Sequence, residues 1–251
     1  MNTVLSLIVM VCQNTLKDDV MYTIAQYILE HVYDLREMNI KSFSENAYVS
    51  TTSIIKFCQM LGFNSYSEFK NQFLATLQMR GMQLSEKNRL LTMDILFSQL
   101  ESLTNDHIDK EKLFKQIDEI VQHIHEDKSL HLFGATFPLA LAQSFIEDMA
   151  VMHIPVYVHQ NHFGENDFTR CEKGVWLIMT LSGRYIESNR NEYHQLCSMN
   201  QQTILISRKI ENIGDVAMNI ALPHTISVHF DEFIFLILLD MIQLRYYQKL
   251  Y

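Results

Sequence analysis

Between residues 20 and 108 apolar side chains recur every three or four positions, the spacing that collects them on one face of an α-helix. Two short helices joined by a tight turn are predicted within that stretch, at 41–47 and 51–60. The first turns Ile40, Phe43 and Ala47 inward. The second turns Ile54, Ile55, Cys58 and Leu61 inward and leaves Thr52, Ser53, Lys56 and Gln59 outward. Ser50 stands where a hydroxyl can accept a backbone N–H at the start of the second helix, and Gly62 where a left-handed residue can end it. From 78 to 108, Leu84, Leu90, Leu91, Ile95, Leu96, Leu100 and Leu103 keep helical spacing among charged residues, which predicts a helical connector. Asn105 and Asp106 mark its end.

Beyond residue 108 the period changes. Short apolar runs at 129–133, 155–159, 175–180, 203–207 and 217–222 read as buried strands, separated by helical stretches at 109–125, 139–152, 186–199 and 231–250. Such alternation predicts a doubly wound five-stranded parallel sheet with helices on both faces, following an all-α N-terminal domain. The expected division is 1–78, a connector at 79–108, and an α/β domain at 109–251. Ligands of doubly wound sheets sit at the carboxyl ends of the strands, so the loops after Phe133 and Thr180 are the places to expect one.

Two short helices, the second with a polar outer face, form the layout that reads DNA in a helix-turn-helix. Charge complicates this reading, because the chain carries a net charge of −9 and DNA phosphates must be met by Lys and Arg. Residues 1–78 hold five basic and seven acidic side chains. Residues 42–89 are more favourable: Lys56, Lys70, Arg80, Lys87 and Arg89 face Glu45, Glu68 and Glu86, an excess of two. Within 51–60 only Lys56 is charged, so weak, salt-sensitive binding per domain is expected, with two domains needed on one palindrome. At 251 residues and 48% apolar, the chain can build two cores. Cys12, Cys58, Cys171 and Cys197 are too scattered for a metal or disulfide pattern, which suits reduced thiols in a cytoplasm. The apolar runs at 4–12 and 233–239 predict neither an export signal nor a membrane span.

The segment Val49-Ser50, Ser53-Ile54, Phe57-Cys58, Leu61-Gly62-Phe63, Tyr66 and Glu68-Phe69-Lys70 resembles the N-terminal domain of the RpiR family of bacterial transcriptional regulators. Upstream, Ile24-Ala25-Gln26-Tyr27-Ile28-Leu29 is similar to the family helix that packs behind the reading pair. The resemblance spans roughly the first third of the chain. It implies a double-stranded DNA operator, contacted by Ser50, Thr51, Thr52, Ser53, Lys56 and Gln59. One departure is Tyr48, at a turn position that is usually Gly.

From about residue 109 the chain is similar to the sugar-isomerase (SIS) domain that follows the helix-turn-helix in RpiR-type regulators. That similarity implies a sugar-phosphate effector held by Gly134, Thr136, Thr180, Ser182 and Gly183. The loop Gly134-Ala135-Thr136-Phe137-Pro138 departs from the family's G-x-G-x-S at Thr136 and Pro138. The loop from Thr180 to Tyr185 keeps Thr180, Ser182 and Gly183 of S-x-S-G-x-T but replaces the last hydroxyl by Tyr185. Phosphate is held by backbone N–H groups backed by small hydroxyls, so Pro138 removes a contact, and Phe137 and Tyr185 are expected to crowd the space. A retained phosphosugar sensor and a degenerate domain that mainly dimerises are both open.

Catalysis is not expected, and neither is a cofactor or a metal. His159 and His162 have no third ligand at a recognisable spacing, and His123 and His125 lie on different helix faces. The expectation is a cytoplasmic RpiR-type regulator of carbohydrate genes, acting as a homodimer or homotetramer. The alternative is a phosphosugar-binding or isomerase-like protein whose helical N-terminal domain only oligomerises.

Overall fold

The computed structural model describes residues 3–160, 174–199, 202–208 and 216–251. They belong to two compact units: Met1–Glu86 with Ile146–Pro155, and Lys87–Phe145 with Val156–Tyr251.

The first unit is helical. Helices α1 (Thr3–Asn14) and α2 (Val20–Glu30) pack together and bury Leu5, Ile8, Val9, Ile24, Ala25, Ile28 and Leu29. The predicted pair follows as α3 (Ile40–Asn46) and α4 (Thr51–Met60). Asn39 caps α3 in a reciprocal box with Ser42. The Ser53 N–H donates to Ser50 Oγ at 3.0 Å, which satisfies one of the orphan donors at the start of α4. At the other end Gly62 adopts φ +91°. Its N–H donates to the Gln59 carbonyl and that of Phe63 to the Cys58 carbonyl, a closed turn that a side chain at Gly62 would strain.

Helix α5 (Tyr66–Leu90) runs unbroken through residue 78. Its first turns supply Tyr66, edge-on to Phe43 at 5.9 Å, and Phe69, edge-on to Phe57 at 6.1 Å and to Phe63 at 5.6 Å, with Phe73 stacked on Phe69 at 6.1 Å between ring centres. Tyr66 Oη and Lys70 Nζ both donate to the Met38 carbonyl, and Lys70 also to that of Arg36, which ties the chain before α3 to α5. Farther along α5, Arg80 donates to Asp148 at 2.8 Å and stands 3.7 Å from Glu147, both carboxylates being buried.

The second unit holds α6 (Met93–Ser102), α7 (Lys110–Asp127), β1 (Leu130–Gly134), α8 (Thr136–Leu141), the start of α9 (Gln143–Val151), β2 (Val156–Gln160), β3 (Val175–Thr180), α10 (Arg184–Ser188), α11 (Arg190–Met199), β4 (Thr203–Ser207), β5 (Met218–Ala221) and α12 (Asp231–Leu250). The sheet has the order β2-β1-β3-β4-β5 and every pairing is parallel, the doubly wound SIS-like arrangement expected. One face is covered by α10 and α11, where Tyr185, Ile186, Tyr193 and Leu196 bury Phe133, Trp176, Ile178 and Leu205. On the other, α7 lays Leu113, Ile117, Ile120, Val121 and Ile124 over the sheet, and α12 packs on α7 and α6.

Two predicted helices are each broken once. The stretch 139–152 starts earlier, at Thr136, and is interrupted at Ala142, whose N–H turns back to the Leu139 carbonyl in a 3-10 turn. The stretch 186–199 starts at Arg184 and is interrupted at Asn189, whose side chain donates to the Tyr185 carbonyl at 2.7 Å and so competes with the helical ladder. Among the described residues no helix is long and apolar enough to cross a membrane.

Burial sets the thiol chemistry. Desolvation pushes Cys58 up to about 11 and raises Cys12 further, while Cys197 is half-buried. At pH 8, iodoacetamide is therefore expected to label Cys197 well before Cys58 or Cys12. Peptide mass spectrometry over a time course reads this, and early labelling of Cys58 would contradict the packing of α4.

Candidate functional site

The outward strip of α4 is fixed by what lies beneath it. Phe57 is buried against Phe69 with Ile54 and Cys58 buried beside it, so Thr52, Lys56 and Gln59 are left exposed on the other side, and Thr51 is exposed in the first turn. Ser50 and Ser53, also expected in the site, are engaged with each other: their hydroxyls are 2.9 Å apart and Ser53 is half-buried. The structure corrects the inward set in one respect. Ile55 is 39% exposed, and Phe57 is fully buried. Ile54, Phe57 and Cys58 span about 100° of the helix surface, and Ile55 falls outside that arc. Ile40 and Leu61 are half-buried.

The turn before α4 is held by Ser44, whose hydroxyl donates to the Val49 carbonyl while the Val49 N–H donates to the Ser44 carbonyl. Closing it puts Tyr48 at φ +56° with its side chain 95% exposed. A non-glycine residue in this region carries a cost of about 1–2 kcal/mol, and nothing the exposed ring touches offsets it.

Several of the basic residues counted over 42–89 are committed elsewhere. Lys70 is bound to backbone carbonyls, Arg80 to Asp148, and Lys87 to Asp240 at 2.6 Å. Lys56 stays exposed on α4 itself. The favourable excess counted over 42–89 therefore overstates the charge that can meet a phosphate.

In the second unit, β1 and β3 are neighbours in register, with Gly134 beside Met179, so the loops after them leave the same edge of the sheet side by side. A Cβ on Gly134 would stand 2.6 Å from the Met179 carbonyl oxygen, so glycine is dictated there by strand packing. Thr136 opens α8 and is exposed, while Pro138 is buried in its first turn. Thr180 is buried and its hydroxyl accepts from the Gly183 N–H at 3.1 Å; Gly183 has φ +79°. Ser182 is exposed and accepts from Arg184 Nε at 3.0 Å. Tyr185 does not crowd this edge: it faces the core beneath α10, where burial raises its phenol, whereas Phe137 is half exposed. Beside these loops, Arg208 follows β4, its N–H donating to the Leu181 carbonyl and its guanidinium gripping Asp231 at 3.0 Å, which holds that carboxyl below its ordinary range.

Residues 6–89 match the family described as the helix-turn-helix domain of the rpiR family. This part of the chain is an rpiR-family helix-turn-helix domain. No curated protein matches the chain. Among solved structures, the Vibrio vulnificus NanR protein complexed with ManNAc-6P is similar at 13% identity and a TM-score of 0.44, over 97% of this chain and 92% of that one.

Sequence reading of the rpiR-type domain located the reading helix but missed Ser44 as the brace of its turn and Lys70 as a carbonyl clamp. The first signal was present in the sequence, since a serine before a tight turn commonly bonds locally. The second was not, because Lys70 reaches carbonyls more than thirty residues upstream. Of the histidines, His159 is paired with His131 at 2.9 Å between two buried rings, and His162 lies outside the described residues. Among the described residues no three His, Cys, Asp or Glu side chains converge as a metal site does.

The backbone of Tyr48 gives a direct test. Tyr48→Gly is expected to stabilise the rpiR-type domain by about 1 kcal/mol, because glycine takes the left-handed region without steric cost. Urea unfolding measures it, and a loss of stability would show that the ring contributes packing.

Proposed function

We propose that the chain is a DNA-binding transcriptional regulator of the RpiR type rather than an enzyme. In this reading residues 1–78 read DNA, 79–108 connect, and 109–251 bind a sugar phosphate and join copies into a homodimer or homotetramer in a bacterial cytoplasm. The observation that carries it is the polar strip Thr51, Thr52, Lys56 and Gln59 on a helix capped at both ends, inside a domain whose family is defined by this helix pair. A helix of this kind lays its first turns in the major groove, where Gln can pair with adenine and Lys with guanine or phosphate. Ser50 and Ser53 serve by fixing the first turn, through the bond from the Ser53 N–H to Ser50 Oγ.

The effector site of this reading is the shared edge of β1 and β3. Gly134 and Gly183 bring backbone close, Thr136 and Ser182 present hydroxyls, and Arg184 adds charge, while Thr180 shapes the loop. Pro138 withholds one N–H at α8, so the anion rests mainly on the Ser182 loop. A single cation on α4 favours the alternative, an oligomerisation role for the helical domain, enough that the two must be separated by experiment.

Lys56→Ala combined with Gln59→Ala is expected to lower affinity for a selected operator at least tenfold without changing the melting temperature; unchanged gel shifts would favour the oligomerisation role. For the effector, some member of a sugar-phosphate panel is expected to raise the melting temperature, and Ser182→Ala to reduce that rise. Silence across the panel would leave the α/β domain as a dimerisation unit.

A further inference from the structure

The outward side of α4 carries two apolar residues among its polar ones, Met60 at its last position and Ile55 in its middle. Ile55 is 39% exposed beside Ile54 at 1%, and it stands in the fifth position of the helix. With 3.6 residues per turn, Thr52, Lys56 and Gln59 lie within roughly 60° of arc, and Ile55 lies about 40° from Gln59 on the same side. It is three residues after Thr52 and four before Gln59, so their side chains are its neighbours on the helix surface. Ile55 lies about 60° from the buried Cys58, at the flank of the strip where it borders the core, and stays exposed there.

The major groove offers one apolar feature, the 5-methyl of thymine, and beside Thr52, Lys56 and Gln59 the branched side chain of Ile55 presents a larger apolar surface to it than the single Thr52 methyl. Phosphate contacts position a helix but do not discriminate between sequences, and Lys56 is the one cation on α4, so discrimination must come from base-edge contacts. We infer that Ile55 is a specificity-determining residue that packs against a thymine methyl in each half-site, next to the base read by Gln59. This inference rests on the DNA-binding reading above.

The test uses the full chain. Binding duplexes are selected from a random library, and each thymine of the recovered half-site is replaced in turn by deoxyuridine, which removes the methyl and nothing else. One thymine per half-site is expected to lose about fourfold in affinity on this change, the effect of burying one methyl-sized group. In Ile55→Ala the same replacement is expected to have no effect, while Ile55→Val, which keeps a branched apolar contact, retains it. The inference is overturned if no thymine responds, or if the response survives in Ile55→Ala. A variant that binds every duplex like the parent but changes the oligomeric mass would also overturn it, by assigning Ile55 to a protein contact. Recovery of no duplex at all would instead sink the DNA-binding reading itself.

Discussion

The packing of Phe69 against Phe57, Phe63, Tyr66 and Phe73 is the contact on which the candidate DNA interface depends. Phe57 projects from the underside of α4, and an edge-on ring contact tolerates little rotation of the helix about its axis. Fixing Phe57 therefore fixes where Thr52, Lys56 and Gln59 point. Phe43 of α3 joins the same cluster through Tyr66, so the angle between the two helices is set by α5 beneath them rather than by the turn. That explains how the turn can hold Tyr48 in an unfavourable conformation: the surrounding packing over-determines it.

At the sheet edge a different constraint operates. Gly134 is required by the Met179 carbonyl and the Thr180 hydroxyl is used on Gly183, so two residues that match a phosphate-binding pattern have structural duties that need no ligand. Thr136, Ser182 and Arg184 have no such duty beyond the bond between the last two. Any anion recognised there is met by these three and by backbone, a smaller set than the loop pattern alone suggests.

Where local chemistry decides, the structure was legible in the sequence. Thr51–Met60, Ser50 as its cap, Gly62 at its end and the strands Val175–Thr180 and Thr203–Ser207 follow from periodicity, capping and turn residues. Tertiary contacts decided the rest. Ile55, expected inward, is exposed and Phe57 is buried, because the period alone does not fix where the edge of the buried arc falls. Tyr185 looked like a bulky intruder at the ligand edge, but Gly183 in the left-handed region turns the chain so that the ring drops onto Phe133 and Trp176. Charge counting misjudged the interface because Arg80 and Lys87 find carboxylates at Asp148 and Asp240, far along the chain.

Scarce charge has a consequence for regulation under the proposed reading. Each neutralised phosphate contributes to affinity through released counterions, so a domain offering few cations binds duplex weakly on its own. Joining two domains makes the second contact intramolecular, and the gain depends steeply on whether the spacing of the two helices matches the site. A weak single contact makes that spacing decisive, whereas a strongly basic domain would hold DNA in either arrangement. An effector bound at the sheet edge changes occupancy only by its difference in affinity between the two spacings. That difference need be only a few kcal/mol to shift the population when neither spacing is held by many phosphate contacts.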